Sequence, residues 1–575
     1  MPSDILLYLL ILLIAAFVGG TISKSIKQPP VVGYLMSGLI LGLIFGNNFK
    51  ILTIDFLAEL GIVLLLFTLG LEFPLDRFKK SGQTTVIAAI AQVLLTIIIL
   101  SILITGFGFS FYAALFMATA FSMSSTALIV KILGDKDEME THPSQVLITW
   151  TVTQDLIVLP LLIILPTLGK ELFQGSFHFL VIFSIFKNLL VAGVLLFIVL
   201  LLGRKWVPYA IGKISSLNNR ELLLVAILLI TIAFGWFTQI LGFSVEIGAF
   251  LMGIMIARSA QNHAVFSEIR PLRDIFAMLF FVTLGLLIPS GFIFANFAII
   301  FEMTLLVIII KFILCLILLF YLGFHARTSF FVSLGLINVG EFAFVLSRMG
   351  LAQNLISTHV FGLIVSVTLF SIIFFPPVFF SSAIIFQFVR DLFKKRWNGM
   401  YVKIFSGVNH VETLPQLLLK DHVVLCGYGR VGKYVGRALE MMQIPYIVVE
   451  YNHQKSEELK EKGIPVIYGD PSDRDILDYA QVDYAKAVVI AIPDLHTQSQ
   501  IIVNSLNLNS EIQIYCRTHR EGDQKLLKAL GATYIIQPEF EASLSITDKL
   551  LKLFGISGED INGKLIRLKI EHGLG

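Results

Sequence analysis

From Ile5 to about Val389 the chain is a succession of apolar runs separated by short polar connections. A helix that crosses a bilayer needs about 20 mostly apolar residues. Runs of that kind fall at roughly 4–22, 31–46, 54–71, 84–105, 111–133, 145–168, 179–203, 221–240, 243–258, 272–289, 294–322, 328–349 and 358–388. The pattern predicts a polytopic α-helical membrane domain of about thirteen spans over 1–389. From Arg390 the pattern changes: a basic amphipathic linker over 390–420, then short buried runs alternating with amphipathic stretches over 421–540. That alternation predicts a cytosolic α/β Rossmann-like domain. Residues 541–575 read as a C-terminal helix and a truncated tail, in which Asp560–Lys569 starts like a further strand and stops.

The apolar pattern repeats. Val32-Gly-Tyr-Leu-Met-Ser-Gly38 in span two matches Ile247-Gly-Ala-Phe-Leu-Met-Gly253 in span nine, with glycines five apart in both. Phe67-Thr-Leu-Gly-Leu-Glu-Phe-Pro74 in span three matches Val282-Thr-Leu-Gly-Leu-Leu-Ile-Pro289 in span ten. The offset is seven spans, an odd number, so the copies cross in opposite directions. This is the inverted repeat of many secondary transporters, whose site lies near the midplane where the copies meet. The same offset pairs Ala120-Phe-Ser-Met-Ser-Ser-Thr-Ala127 with Gly335-Leu-Ile-Asn-Val-Gly-Glu341, two polar interruptions of apolar runs. Unwound backbone at membrane depth is tolerated only beside protein or a cavity, so both spans are expected to be broken and to cross near each other.

Composition agrees with this division: 56% hydrophobic and 14% charged residues, with a net charge of +3. Where the charges fall matters more than their sum. Odd-numbered connections carry most of the Lys and Arg, from Lys24 and Lys27 through Arg77, Lys79, Lys80, Arg204 and Lys205 to Arg270, Arg273 and Arg327. Even-numbered ones hold Lys50, Lys170 and Arg348. The positive-inside rule then puts the N-terminus outside and the C-terminal domain in the cytoplasm. The first apolar run follows an acidic N-terminus without a clear cleavage site and is read as a span, not a removed signal. Cys315, Cys426 and Cys516 form no Cys-x-x-Cys pair, which indicates neither a disulfide framework nor a zinc site.

Within the membrane half, the run Thr151-Val-Thr-Gln-Asp-Leu-Ile-Val-Leu-Pro160 stands out. A charge at the bilayer centre costs about 2.5–3.5 kcal/mol on insertion scales, so an intramembrane carboxylate marks a functional site by default. Asp155, with Gln154 beside it, is the leading candidate to bind a monovalent cation. Lys311, deep in span eleven, is its expected partner, either compensating its charge or competing with the cation. Ser125, Thr126 and Asn338 at the two breaks are candidate ion-site residues. Glu341 either sits near the site or ties down unwound backbone. Glu72, Glu246 and Lys187 read as interfacial or structural. A carboxylate in a closable cavity holds a proton or a desolvated cation but not both, which makes an exchanger of it.

In the soluble half, Asp421-His-Val-Val-Leu-Cys-Gly427 reads as a buried strand. Gly427-Tyr-Gly429-Arg430-Val431-Gly432 opens a helix, and a second strand ends in Glu450. Strand, glycines, helix, strand and an acid about twenty residues on form the dinucleotide-binding fingerprint: phosphates at the helix N-terminus, ribose on the acid. Asp470 and Arg517 follow later strands; they meet a base edge and a phosphate respectively, or are ordinary loop residues. No catalytic acid–base pair or substrate domain accompanies the fold, so regulation by a nucleotide is expected and an enzyme is not.

These features resemble the Kef-type potassium:proton antiporters of the second cation:proton antiporter family, joined to a nucleotide-binding regulator of potassium conductance. The resemblance rests on Gly70-Leu-Glu-Phe73, Ser124-Ser-Thr-Ala127, Gln154-Asp155, Gly248-Ala-Phe250, Leu284-Gly285, Lys311, Gly340-Glu-Phe-Ala-Phe-Val345 and the Gly427–Gly432 loop. It implies a homodimer in the bacterial inner (plasma) membrane, two crossed broken helices and an elevator-like motion. It also implies potassium as substrate, with Gln-Asp the potassium-associated form of the pair, and an adenine nucleotide, AMP or NAD(H), as regulatory ligand. An ancillary cytosolic regulator is a further implied partner; a nucleic acid is not. Glutathione-gated Kef systems carry an acidic motif between spans nine and ten, whereas Asn262–Arg273 is mostly basic here. Two alternatives share parts of the pattern. A sodium:proton antiporter has the same site logic, and a nucleotide-gated potassium channel would need a Thr-Val-Gly-Tyr-Gly-like filter, which the sequence lacks.

Overall fold

The computed structural model describes residues 2–26, 28–45, 51–71, 83–135, 138–139, 141–173, 209–214, 219–240, 245–257, 259, 262–289, 291–396, 420–518 and 521–571. They form two compact units. The first comprises Met1–Asp135, Ser144–Leu318 and Val332–Phe380; the second comprises Lys136–Pro143, Leu319–Phe331 and Ser381–Gly575.

The described residues of the first unit fold into helices and short connections. The helices lying wholly or partly in it are α1 (Pro2–Ser25), α2 (Pro30–Phe45), α3 (Ile51–Leu71), α4 (Gln83–Gly106), α5 (Phe111–Phe121), α6 (Thr126–Asp135), α7 (His142–Phe173), α8 (Arg220–Ile240), α9 (Val245–Ala257), α10 (Asn262–Leu286), α11 (Phe297–Tyr321), α12 (Ala326–Gly335), α13 (Phe342–Ala352) and α14 (Thr358–Phe380), with a single turn at Phe292–Ala295; the start of α7, the end of α11 and the first turns of α12 belong to the second unit. Among the described residues seven helices are long and apolar enough to cross a membrane, and four shorter apolar ones accompany them. Leu, Ile and Phe side chains remain exposed along α1, α4, α8 and α11, as lipid-facing surfaces require. The seventh predicted span, 179–203, lies outside the described residues.

The predicted repeat is visible as packing. Under the seven-span offset α2 corresponds to α9 and α3 to α10, so an α2–α10 contact must have an α9–α3 counterpart. Both contacts are present and extensive. A Cβ at Gly253 of α9 would lie 2.1 Å from the Phe67 carbonyl oxygen of α3, and one at Gly38 of α2 would lie 1.9 Å from the Val282 carbonyl oxygen of α10. The matched glycines therefore do the same thing in each copy: they let two backbones touch, the usual device for membrane helices. Helices α1, α2, α3, α8, α9 and α10 pack as one bundle, while α4, α5, α13 and α14 pack as another.

Two boundaries differ from expectation. Span thirteen ends at Phe380, not near Val389, and α15 (Ser382–Arg396) begins afresh in the second unit. Its polar, basic last turns belong to a surface helix and not to a span. Asn262–Arg273, expected in the connection between spans nine and ten, is helical instead, because α10 runs from Asn262 onward, Pro271 included.

The second unit centres on a six-stranded, fully parallel sheet in the order β3-β2-β1-β4-β5-β6. The strands are β1 (Val423–Cys426), β2 (Tyr446–Glu450), β3 (Val466–Tyr468), β4 (Ala487–Ile490), β5 (Gln513–Arg517) and β6 (Tyr534–Ile536). β2 is buried along its whole length, which is why it reads as an apolar run up to its terminal Glu450. Between and after the strands lie α16 (Arg430–Met441), α17 (His453–Glu461), α18 (Arg474–Tyr479), α19 (Leu495–Leu508), α20 (Glu521–Ala529), α21 (Pro538–Leu553) and α22 (Gly558–Glu571). α22 corrects the expected strand over Asp560–Lys569. Glu559 and Asp560 in its first turn, Lys569 in its last and an Arg567–Glu571 pair one turn apart at 3.0 Å favour helix.

Candidate ion-exchange and nucleotide sites

Both predicted breaks exist. α5 stops at Phe121 and α6 starts at Thr126; α12 stops at Gly335 and α13 starts at Phe342. Unwinding leaves amides and carbonyls without helical partners, and each break supplies what the other lacks. The Gly340 N–H donates to the Met123 carbonyl at 3.0 Å. The Ser125 N–H donates to the Asn338 side-chain oxygen at 2.7 Å, and the Ser124 hydroxyl to the Leu336 carbonyl at 2.8 Å. The two interruptions therefore touch and hold each other open.

α7 brings Gln154 and Asp155 to this crossing. The Gln154 side-chain oxygen accepts the Ser124 N–H at 2.8 Å, while its amide donates to Gln92 of α4 at 2.6 Å. Gln92 also accepts from the Trp150 indole at 3.3 Å and donates to the Ser122 carbonyl at 3.2 Å. Asp155 is 6% exposed. Its Oδ2 accepts the Thr126 hydroxyl at 2.7 Å. No protein group among the described residues donates to its other oxygen. Thr126 and Glu341 are half-buried beside it, and the field of Glu341 reaches Asp155.

Lys311 is placed otherwise than expected. Its ammonium donates to the Met123 carbonyl at 2.8 Å and the Asn338 carbonyl at 2.6 Å, one from each break. It makes no ion pair with Asp155. The physical reason is that unwinding frees carbonyl oxygens exactly where an ammonium needs acceptors, and two of them satisfy it without a carboxylate. Asn338 is likewise a brace, its amide donating to the Gly335 carbonyl at 2.9 Å. Glu341 is the N-cap residue of α13 but caps nothing with its side chain.

In the second unit the glycine loop lies between β1 and α16, next to the β1–β4 boundary where the strand order reverses. Gly427 has φ +89°, the left-handed region, and a Cβ at Gly432 would lie 2.1 Å from the Gly427 carbonyl oxygen. No side chain caps the N-terminus of α16, of which Arg430 and Val431 are the first residues. Glu450, buried at the end of β2, accepts the Tyr428 N–H of the loop at 2.9 Å and the Asn452 N–H at 3.0 Å. Arg517, at the end of β5, has a buried Nε without a hydrogen-bond partner. Burial and the nearby Arg430 hold its guanidinium below its ordinary pKa. Uncapped helix amides and two mutually repelling guanidiniums, one with an orphaned donor, fit a phosphate group.

Asp470 follows β3, and its Oδ1 accepts the backbone and hydroxyl of Ser472 at 2.9 and 2.7 Å. Asp494, which follows β4, was not anticipated. It is the N-cap of α19, accepting the Thr497 N–H at 2.9 Å and the Thr497 hydroxyl. Gln92 is a further site residue that the sequence reading does not name, and Arg327, which pairs with Asp494 at 2.9 Å, is another contact it does not foresee. A lone glutamine in the middle of span four carries the signal for the first, whereas Arg327 reads in the sequence only as a loop charge.

The sodium/hydrogen exchanger transmembrane family matches residues 12–381, and the TrkA-N domain matches residues 423–538. The chain is 26% identical over 544 residues to the putative cation/proton antiporter YbaL of Escherichia coli K12, covering 94% of this chain and 96% of that protein. It is 28% identical over 535 residues to the putative K(+) efflux antiporter KefB of Alkalimonas amylolytica, covering 93% and 79%. The solved sodium proton antiporter MjNhaP1 of Methanocaldococcus jannaschii shares the fold, with a TM-score of 0.51 and 15% identity over 70% of this chain and 99% of that one. Crossed broken helices around a buried carboxylate, a parallel nucleotide-type sheet and matches to both parts make the chain a multi-pass member of the sodium/hydrogen exchanger family of cation/proton antiporters, carrying a TrkA-N domain.

Proposed function

We propose that the chain exchanges potassium for protons and that Asp155 is the shared carrier. The observation that carries this is the state of its carboxylate: nearly buried, bonded through Oδ2 to Thr126, with the second oxygen left for a proton or a cation. The Ser125, Thr126 and Asn338 region around it supplies rigid polar walls rather than a second charge. Because one carboxylate serves both ions, loading one expels the other, and the exchange is coupled. The bundle that holds the crossing moves against the bundle of α1–α3 and α8–α10 in an elevator-like step, with a homodimer as the fixed frame. The names of the antiporter relatives support potassium, while the family description leaves sodium as the nearest competitor.

The TrkA-N domain is proposed to bind an adenine nucleotide, AMP or NAD(H), between the glycine loop, Glu450, Asp470 and Arg517, and to regulate transport without turning the nucleotide over. The test is antiport in proteoliposomes with potassium, sodium or rubidium gradients, with and without AMP or NADH. Potassium-driven proton movement that disappears in a folded Asp155→Asn protein is expected. Retained flux in that variant would sink the shared-carrier reading, and a sodium-only response would sink the choice of potassium.

A further inference from the structure

The segment Leu319–Phe331, made of the end of α11, the connection after it and the first turns of α12, is part of the second compact unit. Arg327 in it pairs with Asp494 at 2.9 Å and with Asp470 at 3.5 Å, and approaches the Ser472 hydroxyl at 3.5 Å. Asp470 follows β3 and Asp494 follows β4, and β2 and β1 lie between those strands. Three strand intervals amount to about 14 Å. One guanidinium that meets both carboxylates therefore sits over the carboxyl ends of β2 and β1, where open α/β sheets bind their ligands. Tyr451, directly after β2, feels the charge of Arg327 as well. The placement is built in: the Tyr468 hydroxyl donates to the Gly323 carbonyl at 3.5 Å, and the Arg327 N–H donates to His325 Nδ1 at 3.3 Å. α15 reaches the same edge through Gln387, 2.5 Å from His496.

The acceptors are already used. Asp470 Oδ1 takes both donors of Ser472, and Oδ2 faces Arg327. Burial alone would raise the Asp470 carboxyl, but Arg327, His325 and Ser472 outweigh it and hold it below the usual carboxylate range. Asp470 is thus an ionised acceptor with a positive partner, not a spare group.

Building on the nucleotide reading above, we propose that Arg327 is an internal occupant of the nucleotide site, and that a nucleotide whose amine or hydroxyl donors reach Asp470 must displace it. The displaced residue belongs to the first turn of α12, whose other end leads into the break at Asn338. Occupancy of the site is thereby linked to the restraint on that helix, and the linkage is reciprocal.

The test uses the full-length protein in nanodiscs, with AMP, ATP and NADH titrated by calorimetry. Arg327→Gln is expected to bind the preferred nucleotide about fivefold or more tightly than the wild type. Asp494→Asn keeps a good helix cap but weakens the hold on Arg327, so it moves affinity the same way if Arg327→Gln does not fold. Nucleotide added to wild type should also speed amide exchange over residues 322–330. Equal or weaker binding by both variants, with exchange unmoved, overturns this proposal alone. Absence of binding of all three by the wild type and by both variants overturns the nucleotide reading and this proposal with it.

Discussion

The Lys311 ammonium stands 2.6 Å from the Asn338 carbonyl oxygen, and with its bond to Met123 it clasps the two helix breaks to each other. Both acceptors are ends of unwound backbone in a fully buried setting. Removing the donor leaves each carbonyl short of a charge-assisted bond, at about 1–3 kcal/mol per group. Lys311→Met is therefore expected to destabilise the membrane part by roughly 2–4 kcal/mol, somewhat eased because Met123 keeps its bond from Gly340. Antiport should fail although Asp155 is intact. Thermal unfolding in detergent and vesicle flux check the two claims together; a stable, inactive protein would instead make Lys311 part of the ion path.

Gln154 invites a different expectation from the one its sequence position suggests. Its side chain is committed at both ends, to the Ser124 N–H and to Gln92. A brace sets the geometry of a site more than its selectivity. Gln154→Asn, one methylene shorter, cannot keep both bonds, and its transport rate should fall about tenfold for a loss near 1.4 kcal/mol. The potassium-to-sodium ratio should stay as it was. Flux in matched potassium and sodium gradients decides, and a changed ratio would restore Gln154 to the selectivity role.

The same contrast explains what could be read in advance. The broken helices were legible because Ser122–Ser125 and Asn338–Glu341 interrupt apolar runs at one repeat offset, and hydropathy punishes such interruptions unless something compensates. The burial of Asp155 at the crossing was legible for the same reason. The partner of Lys311 was not, because backbone carbonyls exist at every residue and only the fold shows which two are freed. Arg327 was invisible as a site residue because one arginine in a short cytoplasmic connection is what topology alone demands. The tail is ambiguous in sequence because the alternation in Ile561–Ile570 suits a strand as well as an amphipathic helix; its end charges favour the helix that the structure shows.

The glycine contacts between repeats should be intolerant of any side chain. A Cβ at Gly253 meets the Phe67 carbonyl at 2.1 Å, and one at Gly70 meets the Phe250 carbonyl at 2.2 Å. Each obstacle is backbone, which cannot swing aside as a side chain does. Overpacking of a well-filled contact costs about 1–3 kcal/mol or more, so Gly253→Ala and Gly70→Ala should each lower the yield of monodisperse protein and its unfolding temperature. Gly106→Ala, with nothing within 4 Å, is the control and should behave as wild type.

The docking of Arg327 should weaken on mild acidification, and His325 sets where. His325 Nδ1 accepts the Arg327 N–H, which requires the neutral ring. Burial lowers its pKa from 6.5, Asp470 opposes that shift, and Arg327 adds to it. A depressed folded value means that the neutral ring contributes fully above 6.5, and that this contribution is lost as pH falls through the folded value below it. Asp470 and Asp494 are held under the ordinary 3.8, with burial opposing and Arg327 prevailing, so both stay ionised throughout that fall. The pKa of His496 nearby is lowered too, by burial first and then by Arg327, with Asp494 opposing. Amide exchange over 322–330, corrected for intrinsic rates, should therefore be flat from about pH 8 to 6.5 and accelerate below. His325→Asn should remove that acid step, and an unchanged step in the variant would assign it to His496 or to another group.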